Sequence, residues 1–280
     1  MSKLHRIGLV RLVLACLAVA AASAQTVAAG ATPTLSKTAQ AALAKTAAAA
    51  DNATKGKLNS RYAELQSYQT QERQWDEAVR TLHYKNEATL ARLRKQIKMI
   101  DAAKLSKLDL DMKQSKERHK PLFDRYAALN RQIAAVKPLK NKDLNALLRM
   151  QADVMKMAVQ LAREEIRAKE AALRTAKDAT AATVKKIRLT LADIDPIKVK
   201  IKAEKSSLSA PAQAYAAVSQ SFSAAVRKND AGTALDTLAS MAALCRQTVA
   251  IKQDIHGLET KISGILAKAN GQLPLSLQLS

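Results

Sequence analysis

Seven glycines, six prolines, one tryptophan, five tyrosines and two phenylalanines are few for a chain of 280 residues. Average usage would supply about 20 glycines and about 14 prolines at this length. The shortage excludes folds that need many tight turns, glycine loops that cradle phosphate, and a thick aromatic core. Cysteine is nearly absent too, with only Cys16 and Cys245. Acidic residues are outnumbered, 24 Asp and Glu against 46 Lys and Arg. An Ala-, Lys-, Leu- and Arg-rich chain with so few helix breakers belongs to the long-helix or coiled-coil class.

The first 24 residues read as a secretory signal peptide. Lys3, Arg6 and Arg11 make a basic start, Leu12 to Ala22 is an unbroken apolar stretch, and Ala22-Ser23-Ala24 fits a cleavage site before Gln25. Eleven apolar residues are too few to cross a hydrocarbon core of ~30 Å as a helix. No later run approaches the length of a membrane span, so none is expected after cleavage. The expectation is an exported chain, secreted or held in the cell envelope, with a net charge of +19 once Lys3, Arg6 and Arg11 are removed. Its one remaining cysteine, Cys245, allows no internal disulfide, and its apolar helical register predicts a buried, inert thiol.

After a small-residue linker over 25–34, apolar positions recur every three or four residues: Leu58, Tyr62, Leu65, Tyr68, and on through Leu93, Ile97 and Ile100. The stripe slips by one residue around 101–107, either a stutter in one helix or a tight hairpin. Lys137 to Asp143 is the clearest break, with Pro138 and Asn141 to interrupt the helix and Asp143 to cap the next. Beyond it, sixteen positions from Leu148 through Val159, Leu173, Ile187 and Ile194 to Ile201 alternate four and three without exception. That period implies at least one partner helix. Residues 197–203 also alternate as a strand would, but the heptad runs through them and predicts helix. Ser209-Ala210-Pro211 reads as a cap with an early-helix proline. The expected fold is all-α, an elongated antiparallel helical bundle or coiled coil of long helices. One domain is expected over 35–272, with joints near 101–107, 137–143, 195–196, 206–211 and 228–233, and a tail over 273–280. Self-association through the heptads is a further expectation.

Little in the chain carries chemistry. His83, His119 and His256 stand far apart, Glu164 and Glu165 diverge by about 100° on a helix, and no HExxH, CxxC or EF-hand spacing occurs. No metal, cofactor or catalytic residue is expected, and no enzyme. The charge is more informative. Residues 85–142 hold 16 basic and 6 acidic side chains, more than half of the net positive charge after cleavage. Within them Arg92, Arg94, Lys95 and Lys98 cluster on one helix, and Lys137, Lys140 and Lys142 crowd the expected hairpin tip. Such a region attracts polyanions. With so few aromatics to stack on bases, anionic envelope polymers or lipid headgroups are better partners than a specific nucleic acid. The expected role is structural or interactive. A membrane-active helical protein and a holdase-type chaperone are the alternatives.

Overall fold

The computed structural model describes Thr32 and residues 34–278, and every regular element among them is helical, as the periodicity predicts. The elements are α1 (Lys37–Ala49), α2 (Asn52–Met99), α3 (Ala102–Val136), a 3-10 turn (Lys137–Leu139), α4 (Lys142–Ala192), α5 (Ile194–Ser207), α6 (Ser209–Arg227), α7 (Ala231–Asn270) and the short α8 (Leu275–Gln278). The expected signal peptide and all but Thr32 and Thr34 of the expected linker lie outside the described residues.

Small polar residues start these helices by accepting a hydrogen bond from an otherwise unpaired first-turn N–H. Ser36 accepts from Ala39 N (3.1 Å), Asp51 from Thr54 N (2.9 Å), Asn141 from Leu144 N (3.1 Å) and Asp230 from Thr233 N (3.0 Å). The cap of α4 is therefore Asn141, not Asp143, which sits in the first turn. At α6, Leu208 holds the cap position without a side-chain bond, and Ser209 is already helical, its hydroxyl donating to Ser206 O. Three joints are turned by residues in the left-handed region, Asp101, Lys140 and Asn229, each with φ 54°. None is glycine.

The chain forms two compact units. The first joins the described part of Met1–Leu82 to Val199–Glu259. Its core collects Leu43 of α1, Leu58 and Leu65 of α2, Tyr215 and Phe222 of α6, and Leu238, Met241 and Cys245 of α7. Here α2 and α7 run in the same direction, since Glu72 meets Lys252 and Trp75 meets His256. Cys245 is buried as its register predicts, its thiol pushed up to about 11 chiefly by that burial. Thr32, at the end of the expected linker, is buried and donates through its backbone N–H and its hydroxyl to Glu72.

The second unit joins His83–Lys198 to the described part of Thr260–Ser280. Pairs across it fix its topology: Glu87 with Lys198, Asp101 with Thr180, Ser115 with Glu165. As numbers climb along α2 and α3 they fall along α5 and α4, so the two arms of this helical hairpin are antiparallel. The same sequence of pairs decides the nature of the joint at Asp101. The chain breaks helix for two residues at the left-handed Asp101 and continues along the same partner, so the joint is neither a stutter within one unbroken helix nor a reversal. None of the sixteen heptad positions from Leu148 to Ile201 is exposed. The tail also packs, with Leu273 buried and Leu277 O accepting from Gln96 Nε2 at 2.6 Å.

Candidate functional site

The two groups of basic side chains that cluster in the sequence both lie in the second unit. Arg92, Arg94, Lys95 and Lys98 are all exposed near the end of α2, and Lys137, Lys140 and Lys142 are all exposed at the α3–α4 turn. The structure does not bring the two groups together. The 35 residues of α3 separate them, about 50 Å at 1.5 Å per residue.

Nor do the four α2 residues act as one cluster. At 100° per residue, Arg94 and Lys98 share a face that Arg92 does not. That face borders a cleft of about 410 Å³. Its apolar floor includes Leu90, Ile97 and Ile194, and its rim carries Arg94, Lys98, Arg188 and Lys198 with one acid, Asp195. Arg188 comes from α4 and Lys198 from α5, so three helices supply the four cations. Lys198 donates to Glu87 at 2.7 Å, which fixes its ammonium at the cleft edge. Neither Arg188 nor Lys198 lies in residues 85–142, the region that its net charge marks out. The signal that could have found them is the heptad itself. Arg188 follows the buried Ile187, and Lys198 follows the half-buried Ile197, so both sit on the shoulder of the seam.

Compared with known proteins, the chain matches no family model, no curated sequence and no solved structure.

A second polar cluster lies on the hairpin. Ser115 and His119 occupy the α3 stripe between Met112 and Leu122, and both bond Glu165 of α4, the hydroxyl at 3.0 Å and His119 Nε2 at 2.9 Å. Arg118 donates to the same carboxylate, and Lys169 Nζ lies 3.3 Å from it. This carboxyl is pulled from its ordinary value near 4.5 to about 2, first by the bond from His119, then by those from Ser115 and Lys169 and the charge of Arg118. The divergence of Glu164 and Glu165 on the helix gives no hint that Glu165 has a role of its own. In the fold it is a clasp between α3 and α4. Because the folded value is depressed, the contribution of the clasp is complete above about pH 4.5 and is lost as pH falls toward about 2. A carbon-detected titration of Glu165 in the folded protein is expected to show its midpoint near 2. A midpoint at the ordinary carboxyl value would show that the clasp does not form in solution.

Among the described residues no group of His, Cys, Asp and Glu could hold a metal ion, and no helix is long and apolar enough to cross a membrane. Four cations round one cleft, one of them anchored, present a local positive field over an apolar floor.

Proposed function

We propose that this is an exported all-α protein with a structural or interaction role, contacting anionic polymers or lipid headgroups of the cell envelope through its basic region. The observation that carries the reading is the convergence of Arg94, Lys98, Arg188 and Lys198 on one cleft, where Asp195 is the one acid in the lining and Glu87 pairs with Lys198 alone. Like charges gathered from three helices cost self-repulsion, which an anionic partner relieves. Export rests on the three-part pattern of residues 1–24. The contact is electrostatic and therefore weakens with salt, as the Debye length shrinks from about 10 Å at 0.1 M to about 3 Å at 1 M.

The test uses an immobilised polyphosphate or heparin matrix as the polyanion. The protein is expected to be retained at low salt and released at moderate salt. Arg94→Glu with Arg188→Glu is expected to lower affinity at least tenfold and to flatten the salt dependence, because both cations leave the cleft rim. Lys137→Glu with Lys140→Glu, at the far end of α3, is expected to cost less. Flow-through at low salt, or equal retention of all variants, contradicts the reading.

A further inference from the structure

Helix α4 carries two apolar stripes. One is the seam against α3. The other consists of Leu147, Met150, Val154, Met157 and Leu161, between 48% and 76% exposed. Its spacings are three, four, three and four, the same heptad rule that buries the seam. The positions bordering it include Ala146, Gln151, Ala158 and Gln160, which are small or uncharged. Arg149, Lys156 and Arg163 project from the opposite flank of the helix, by the 100° rule. Met150 and Val154 also form one wall of an open cleft of about 480 Å³, with Arg125, Ala128, Leu129 and Gln132 of α3 on the other side. A heptad seam beside a groove between two helices is shaped to receive a further helix.

We propose that this face docks against the same face of a second copy of the chain, with the two α4 helices antiparallel across a two-fold axis. The stripe is self-complementary over four of its five positions, and the fifth, Leu147, meets the aliphatic stem of Glu164 of the second copy. Antiparallel heptads set the first core position of one helix against the fourth of the other, which here places Leu161 opposite Met150 of the second copy and Val154 opposite its Met157. Each contact is made twice, as a two-fold interface requires. Charge selects this register. It sets Asp153 opposite Gln160 and Gln151 opposite Ala158, so no like charges meet. The register shifted by one heptad sets Asp153 against its own copy, which is repulsive. Charge also argues against a bilayer as the occupant. The three basic side chains of this stretch point away from the stripe, while Asp153 and Glu164 border it, the reverse of a helix built for an anionic membrane. The five side chains offer roughly 500 Å² per copy, short of the roughly 800 Å² per partner of a standard interface, so the dimer is reversible. This pairing is independent of the polyanion contact at the cleft near Arg94.

Sedimentation equilibrium of the purified protein over a wide concentration range tests the proposal. A monomer–dimer equilibrium is expected, and Val154→Arg, at a position already exposed, is expected to weaken it at least 100-fold with helicity and melting temperature unchanged. Gln160→Lys, which gains Asp153 of the second copy as a partner twice over, is expected to tighten the dimer about tenfold at low salt. Gln160→Glu is expected to weaken it by a similar factor. A monomer at every concentration overturns the proposal, as does a dimer indifferent to Val154→Arg. A monomer that binds vesicles of anionic phospholipid through Val154 assigns the stripe to a bilayer and overturns it as well.

Discussion

Replacing Lys252 with methionine is expected to destabilise the first unit by about 3–5 kcal/mol, measured by urea unfolding. Lys252 and Glu72 are 3% and 2% exposed, and the ammonium lies 2.9 Å from Glu72 Oε1 and 2.8 Å from Asp76 Oδ2. Methionine preserves the volume of the lysine stem and removes only its charge. Glu72 then keeps the two bonds from Thr32, which orient the carboxylate without neutralising it. A buried carboxylate with no cation is what makes the single substitution costly. The partner variant Glu72→Met is expected to cost less, because Asp76, at 39% exposure, still pairs with the ammonium. Lys252→Met with Glu72→Met is expected to recover most of the loss, because two apolar side chains of similar size replace a pair whose attraction was largely offset by desolvation. A double variant as unstable as the sum of the singles would show that the two residues are not coupled.

That ion pair also marks where sequence reasoning stops. Val159, Ile187 and Ile201 were legible as core because apolar side chains on a helical period have one reason to recur. Lys252 and Glu259 complete the four–three spacing of α7 between Thr248 and Ile262, and Glu72 falls on the α2 stripe between Tyr68 and Trp75, yet all three are charged. A rule that seeks apolar residues passes over them. All three are buried. The recoverable signal is a charged residue in phase with the seam, matched by an opposite charge in phase on another helix. Which helices meet is a tertiary fact, so the pairing of position 72 with 252 was not readable from one dimension. The same holds for the site. The basic residues of α2 were visible as a run, but Arg188 joins Arg94 only because α4 runs antiparallel past α2. The break at Asp101 was visible as a phase slip, and its character was settled only by the partners on either side of it.

The scarcity of aromatic residues gives the second large effect. Phe222 is fully buried, in a cluster that also contains Ala47, Ala225, Ala234 and Ala242. Alanine has no side-chain rotamer to rotate into a void, and each of these alanines is fixed to a helix backbone. Phe222→Ala therefore leaves a cavity that its surroundings fill poorly, and the expected loss is about 3–5 kcal/mol. The other phenylalanine provides the contrast. Phe123 is half-buried beside the open cleft that Tyr126 and Ile166 share. Phe123→Ala removes less buried surface and opens onto solvent, which fills the gap without a void, so about 1 kcal/mol is expected. Phe222→Leu retains most of the volume and is expected to fall between the two. Denaturant unfolding of the three variants orders them directly. Equal losses for Phe222→Ala and Phe123→Ala would mean that the first unit relaxes into the space of the Phe222 ring, and that its alanine-rich core is looser than the burial of Phe222 implies.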